Sequence, residues 1–157
     1  MQRNYWFILA GCLSIAASLL HIACIIGGSD WYRFLGAGEQ MAQMAERGEI
    51  TPTLITLFIS GVLATWGLYA FSAAKFIPRL PLLKFCMLAI TAVYCIRGFG
   101  GLIVALFPNS YQVQHLGIEF VVWSSLICAI FGVVHIVAVK LAWLDLSSKP
   151  TVIDAAK

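Results

Sequence analysis

The sequence predicts an all-α integral membrane protein: a four-helix bundle with a short amphipathic helix in the outer loop between spans 1 and 2. Hydrophobic residues make up 61% of the 157 residues and charged residues only 11%, whereas soluble domains carry about 25% charged residues. Four apolar runs lie between polar or proline-containing segments, and each is near the roughly 20 residues that a helix needs to cross a membrane. The whole chain, 1–157, is therefore expected to form a single membrane domain.

The first span is expected over residues 5–27. Within it, Leu9-Ala10-Gly11-Cys12 is similar to the lipidation box of a bacterial lipoprotein signal. Too few residues precede this box for a charged segment followed by an apolar one, and the chain stays apolar beyond it. We therefore expect an uncleaved span in which Cys12 is a small interior residue. The span has three clearly polar interruptions: Ser14, Ser18 and His21.

Residues 28–50 form the long polar connection. Apolar residues recur there at three- and four-residue spacings, opposite a polar face that contains Glu39, and this pattern predicts a short amphipathic helix. Gly48 is a typical helix stop. The helix is expected either on the membrane surface or over the bundle, and packing of its methionine side onto its own bundle is the simpler interpretation. Trp31 and Tyr32 lie where an interfacial aromatic belt is expected.

The remaining spans are expected over residues 51–74, 82–107 and 117–142, followed by a polar tail over residues 143–157. Thr51 and Pro52 suit the cap and the first turn of a helix. Pro78 and Pro81 prevent a continuous helix between the second and third spans.

The positively charged residues predict the orientation of the chain. One side of the predicted spans carries Arg3, Lys75, Arg79, Lys84, Lys140, Lys149 and Lys157. The other side carries Arg33 and Arg47. Because basic residues favour cytoplasmic loops, we expect both termini in the cytoplasm of a bacterium, with the chain in the inner membrane. The net charge of +3 is not arranged as a basic stripe, so no nucleic-acid partner is expected.

Arg97 is the residue that the membrane tolerates least. It lies in "YCIRGFGGL", residues 94–102, inside the third span. An isolated charge at the bilayer centre costs between about 2.5 and more than 10 kcal/mol. By residue count, Arg97 lies about 15 Å below the outer end of its span. Its side chain is therefore expected to pair with another group or to line a wet cavity.

Candidate partners for Arg97 can be ranked by depth. The nearest ionisable residues are His21, Glu119, Glu39 and Asp30. Four hydroxyls are expected to complete a polar lining: Thr56 and Ser60 on the second span, and Ser124 and Ser125 on the fourth. Tyr94 lies three residues before Arg97 and therefore shares its helix face.

Two interpretations of Arg97 are open. One is a buried ion pair with Glu119 or Glu39 that fixes the register of the helices. The other is a small outward-open pocket built from Arg97, His21, Glu119 and Tyr94 and covered by the helix that carries Glu39. These five residues are the predicted ligand-binding set. A guanidinium suits a carboxylate or an anionic headgroup because it binds either in bidentate fashion.

We expect no cofactor and no metal. His21 and His135 differ in depth by about 15 Å or more, so one haem iron cannot bind both. Depth does not exclude a haem bound between His21 and His115. His135 itself is expected at the membrane interface. The five cysteines are scattered in depth without CxxC spacing, which favours neither a disulfide nor a metal site.

The strings "GGSDWYRFLGAGEQMAQMAERG", "YCIRGFGGL" and "VVWSSLICAIFGVVH" resemble those of small bacterial four-span membrane proteins without known activity. More loosely, the architecture is similar to the DoxX-like group. That resemblance implies a quinone-linked role beside a membrane oxidoreductase, but it transfers no catalytic residues onto this sequence.

The leading expectation is a non-enzymatic multi-pass membrane protein that binds a small anionic ligand or lipid, or acts as an accessory subunit, through the site around Arg97. One alternative is a membrane-embedded enzyme or quinone-linked redox subunit with His21 or Glu119 as acid or base. Another is an oligomeric small-solute transporter. The expected partners are membrane lipids and either a second copy of the chain or another membrane subunit.

Overall fold

A computed structural model describes residues 5–147. These residues form four long helices and three short ones, in the chain order α1 Tyr5–Phe34, α2 Glu39–Glu46, α3 Thr51–Ala73, α4 Leu83–Ala105, α5 Tyr111–Leu116, α6 Ile118–Leu141 and α7 Trp143–Ser147. The four long helices are each long and apolar enough to cross a membrane. The predicted all-α four-helix membrane bundle is confirmed.

The helix ends follow from local sequence. The helix α3 begins at Thr51 with Pro52 in its first turn, although the capping position is Ile50 and no side chain caps the helix. The helix α1 continues past the predicted span end, but Gly28 interrupts it with φ 69° and ψ −152°. This left-handed conformation suits glycine. It redirects the last turn of α1, so that Tyr32 is buried while Trp31 is 42% exposed.

The long helices pack as a closed ring. Contacts are most extensive between α1 and α3 and between α4 and α6, and contacts of α1 with α6 and of α3 with α4 complete the bundle. Glycine allows the close approaches. A Cβ on Gly98 of α4 would lie 2.6 Å from the Cα of Ala129 on α6, and a Cβ on Gly67 of α3 would lie 3.2 Å from the carbonyl oxygen of Gly11 on α1. Small residues at such positions are what membrane helices need to pack closely.

The bundle interior contains polar side chains among its apolar ones. The hydroxyls of Ser18 on α1 and Ser60 on α3 lie 2.9 Å apart, and each is within hydrogen-bond distance of the other residue's carbonyl oxygen. Ser14 Oγ on α1 lies 3.0 Å from Tyr94 Oη on α4. These hydrogen bonds satisfy buried hydroxyls and link helices that are distant in sequence.

The helix α2 closes one end of the bundle. It packs against α1 and α3 with Ala42 fully buried and Met41 and Met44 partly buried, so the expectation that it covers its own bundle is confirmed. Gly48 follows it with a φ of 71°, which matches the predicted helix stop. We call this the α2 end of the bundle, and the opposite end, where α7 lies, the α7 end.

Two short helices were not anticipated. The helix α5 lies between the third and fourth predicted spans, and α7 lies in the predicted polar tail. The helix α7 packs back on the bundle because Arg79 Nη2 donates to the Leu146 carbonyl oxygen at 3.0 Å and Lys75 Nζ lies 3.4 Å from Asp145 Oδ2. The rest of the predicted tail, with Lys149 and Lys157, falls outside the described residues, as does Arg3 before the first span.

One of the five cysteines departs from its expected position. Cys12 is exposed on the outside of α1, so the prediction of an interior residue is wrong, whereas Cys24 is buried. The other three, Cys86, Cys95 and Cys128, are half-buried. All five thiols are free.

Candidate functional site

The guanidinium of Arg97 lies on the surface between α4 and α6. Its Nη1 donates to Ser125 Oγ at 3.1 Å, and its Nη2 donates to Ser124 Oγ at 3.0 Å. Arg97 is exposed, and no carboxylate between residues 5 and 147 lies within ion-pair distance of it. Within the described part of the chain, the positive charge is therefore hydrogen-bonded only to two neutral hydroxyls.

Gly101 provides the space for this arrangement. A Cβ at Gly101 would overlap Ser125 Oγ and would lie 2.9 Å from Arg97 Nη1. Ser125 is itself fully buried. The α4–α6 contact therefore brings three groups together at one level: the Arg97 guanidinium, the Ser125 hydroxyl and the backbone of Gly101.

The register of α4 against α6 fixes the height of the guanidinium. Gly98 lies beside Ala129 and Gly101 beside Ser125, so the backbone of Arg97 is level with about residue 130. Its side chain therefore extends about 7 Å toward the α2 end to reach the two serines, at 1.5 Å per residue. Arginine stems lie along apolar surface in this way while the charged group approaches water.

Of the predicted lining, Ser124 and Ser125 bind Arg97, whereas Ser60 is bonded to Ser18. None of the four predicted ionisable partners reaches the guanidinium. Glu119 is exposed in the first turn of α6. At 100° per residue it points about 140° away from Ser124 and about 120° away from Ser125. His21 is partly exposed on α1, with Nδ1 2.8 Å from the Ala17 carbonyl oxygen. The predicted ion pair between Arg97 and Glu119 is therefore not formed.

Glu39 binds a different arginine. Arg33 donates to both of its carboxylate oxygens, from Nε at 2.9 Å and from Nη2 at 2.8 Å, and also to Glu46 from Nη1 at 2.6 Å. Asp30 is 3.7 Å from the same guanidinium. The hydrogen bonds from Arg33 lower the pKa of the Glu39 carboxyl. Two of the four candidate partners of Arg97, Glu39 and Asp30, are therefore held by the cluster that fastens α2 to the end of α1.

Tyr94 belongs to the bundle core and not to the surface around Arg97. Its hydroxyl pairs with Ser14, and its ring lies 5.0 Å from Trp66, 5.4 Å from Phe131 and 5.0 Å from His135, measured between ring centroids. In the described part of the chain, no two of the five predicted ligand-binding residues are hydrogen-bonded or ion-paired to each other. Only Arg97 and Tyr94 are near neighbours, one turn apart on α4.

His135 was expected at the membrane interface, and that expectation is wrong because the residue is fully buried. Its Nδ1 lies 2.8 Å from the Phe131 carbonyl oxygen. A carbonyl only accepts, so Nδ1 carries a proton, and in the neutral ring Nε2 is then an acceptor. Nε2 is buried without a hydrogen-bond partner among residues 5–147.

The remaining histidine of the haem alternative lies at the surface. His115 is exposed on α5, with Nδ1 2.9 Å from the Tyr111 carbonyl oxygen and its ring stacked on that of Tyr111. Among residues 5–147 there is no group of three or more His, Cys, Asp or Glu side chains able to hold a metal ion.

The two ends of the bundle carry opposite charge. Among the described residues, acidic side chains outnumber basic ones at the α2 end, where Asp30, Glu39, Glu46, Glu49 and Glu119 lie with Arg33 and Arg47. Basic side chains outnumber acidic ones at the α7 end, where Lys75, Arg79, Lys84 and Lys140 lie with Asp145. Arg97 is the charged residue within the spans that belongs to neither group.

The fold and this site together define a multi-pass membrane protein with an exposed arginine inside one span. No protein-family model, no curated protein and no solved structure matches the chain.

Proposed function

We propose that this chain is a non-enzymatic multi-pass membrane protein that binds an anionic ligand or lipid through Arg97. The observation that carries the proposal is an exposed guanidinium inside a span whose hydrogen-bond partners, within residues 5–147, are two neutral serines. A charge in a membrane segment is rare and usually paired. The positive charge of Arg97 is therefore neutralised by an anion from outside the chain.

The guanidinium retains the donors that such an anion needs. Arginine has five N–H groups, and two of them point to Ser124 and Ser125. The remaining donors, on Nε and on both Nη atoms, suit two or more oxygens of one anionic group. The buried side of the site is already hydrogen-bonded, so the free donors serve a ligand that approaches from the exposed side.

The proposed orientation places both termini in the cytoplasm, with the α2 end outside and the chain in a bacterial inner membrane. The surplus of basic residues at the α7 end supports this orientation, since basic residues favour the cytoplasmic side. The proposed relation to the DoxX-like group is supported by the four spans alone.

Lipid retention by charge-matched variants tests the anion site. The protein is purified in mild detergent from membranes that contain phosphatidylglycerol, and its bound lipid is counted by native mass spectrometry. Arg97→Gln removes the charge at the site. Arg47→Gln removes one charge at the α2 end, where Arg47 pairs with Glu49 at 2.7 Å, and is the control.

We expect the wild type and the Arg47→Gln variant to retain anionic lipid and the Arg97→Gln variant to lose it. Equal retention by all three proteins contradicts the proposal. A change in subunit number in the Arg97→Gln variant, without a change in bound lipid, would assign Arg97 to a contact between subunits instead.

A further inference from the structure

We infer that the anion held by Arg97 is the phosphate of a phospholipid of net negative charge, from the leaflet at the α2 end of the bundle. This inference rests on the proposed anion site and names the chemistry of its ligand. It depends on three features of the site: the depth of the guanidinium, the surfaces around it, and the number of its free donors.

The depth places the guanidinium within reach of headgroups. Gly101, at the level of the guanidinium, lies four residues before the end of α4, or about 6 Å, and Ser124 lies six residues after the start of α6, or about 9 Å. The helix α4 has 23 residues and is therefore about 35 Å long. It exceeds a hydrocarbon core of about 30 Å by a few ångströms.

These lengths leave the guanidinium about 4 to 7 Å inside the hydrocarbon edge. A phosphate at that edge reaches it with a small local dip of the bilayer. Local thinning of this kind is one way in which membranes accommodate arginine.

The surfaces around Arg97 favour an amphiphile over a dissolved anion. Ile96 is 72% exposed, Phe99 is 47% exposed and Trp123, which precedes Ser124, is 65% exposed. These side chains face lipid, so a hydrated anion would have to cross apolar surface, whereas a phospholipid lays its acyl chains along it. Tryptophan is enriched at headgroup level, which agrees with the position of Trp123.

Gly100 opens the surface next to Arg97. A Cβ built at Gly100 has no neighbouring atom within 4 Å, so the glycine leaves free space on the lipid-facing side of α4. A chain or headgroup can approach the backbone there. The acidic surplus at the α2 end also opposes dissolved anions, but a lipid already in the leaflet reaches Arg97 without crossing that end.

The number of free donors favours phosphate over carboxylate. A carboxylate offers two oxygens, whereas a phosphodiester offers two charged oxygens and further ester oxygens. The N–H groups left on Nε, Nη1 and Nη2 are therefore better matched by a phosphate. A zwitterionic lipid carries its own cation, so a lipid of net negative charge is the better counter-ion for an otherwise unpaired arginine.

The test compares three sources of an anionic group on one protein. The full-length chain is reconstituted in nanodiscs that contain equal amounts of phosphatidylglycerol and phosphatidylcholine, extracted with mild detergent, and its retained lipids are counted. Parallel samples contain oleate, a carboxylate amphiphile, or millimolar sodium phosphate as competitor.

We expect phosphatidylglycerol to be retained over phosphatidylcholine by about tenfold, which corresponds to about 1.4 kcal/mol. Sodium phosphate should not displace it, and Arg97→Gln should abolish the preference. Displacement by oleate would overturn the phosphate assignment while leaving the anion site intact, and displacement by sodium phosphate would overturn the lipid source. An unchanged preference in Arg97→Gln would overturn the proposed function as well.

A second variant tests the binding position independently of Arg97→Gln, including the case in which Arg97→Gln does not fold. Gly100→Leu fills the open space beside Arg97 without changing its hydrogen bonds to the serines. We expect it to reduce the preference for phosphatidylglycerol several-fold. Full retention by this variant would contradict the binding position on the lipid-facing side of α4.

Discussion

Ser14 and Tyr94 share a hydrogen bond, and we expect the loss of either hydroxyl to change the free energy of unfolding by a different amount. Ser14 is fully buried, and Tyr94 is 4% exposed. In Tyr94→Phe, the stranded Ser14 hydroxyl can turn to a carbonyl of its own helix. In Ser14→Ala, the Tyr94 hydroxyl is left buried with no such local alternative.

The expected costs follow from this difference. We expect Tyr94→Phe to lower the free energy of unfolding by about 0.5–1 kcal/mol, in the range measured for hydrogen bonds between membrane helices. We expect Ser14→Ala to lower it by about 1–3 kcal/mol, the penalty for an unsatisfied buried group. The double variant should cost less than the sum of the two, because both polar atoms are then gone.

Reversible unfolding in mixed detergent micelles, followed by circular dichroism, measures all three changes. Tyr69→Phe is the matched control, since its hydroxyl donates to the Pro81 carbonyl oxygen at 3.3 Å in an exposed position, and it should have little effect. Additive costs of the two core substitutions, or a larger cost for Tyr94→Phe than for Ser14→Ala, would refute the reasoning.

Two further predictions concern helix packing and the α2 end. Gly98→Ala should lower the free energy of unfolding by about 1–3 kcal/mol, because its Cβ would meet the backbone of Ala129. Gly100→Ala, two residues away in open space, should be neutral or stabilising by up to about 1 kcal/mol. Equal effects of the two substitutions in thermal unfolding would show that the contact at Gly98 is not tight. The hydrogen bonds from Arg33 lower the pKa of Glu39, so their stabilisation of α2 is complete above the ordinary carboxyl pKa of about 4.3 and is lost as the pH falls below it. Hydrogen exchange of α2, corrected for the intrinsic rate at each pH, should show this loss in the wild type and a smaller loss in Glu39→Gln, in which Glu46 still accepts from Arg33. Equal pH dependence in both would contradict the assignment.

Periodicity and composition were sufficient to predict the spans because the membrane constrains every residue of a crossing helix. The predicted span of residues 117–142 differs from α6, Ile118–Leu141, by one residue at each end. The helix α7 was missed because its packing depends on Arg79 and Lys75, which are distant in sequence.

The partners of Arg97 were harder to predict, since depth alone decided the ranking. Glu119 has a suitable charge, but it lies on the wrong side of α6. The angle between Glu119 and Ser124 around the helix axis follows from the sequence. Which face of α6 packs against α4 does not follow from it. The ion pairs of Arg33 with Glu39 and Glu46 were not predicted for another reason. The bend at Gly28 brings Arg33 over the end of the bundle, and no local sequence pattern predicts such a bend.

The pairing of α1 with α3 and of α4 with α6 has a consequence for how the chain is made. In each pair, the two spans follow one another along the chain and form the most extensive contacts of the bundle. During synthesis, the first pair can associate in the bilayer as soon as α3 has been inserted, before the second pair has left the ribosome. The later step then joins two preformed hairpins, in keeping with domains that assemble from units local in sequence.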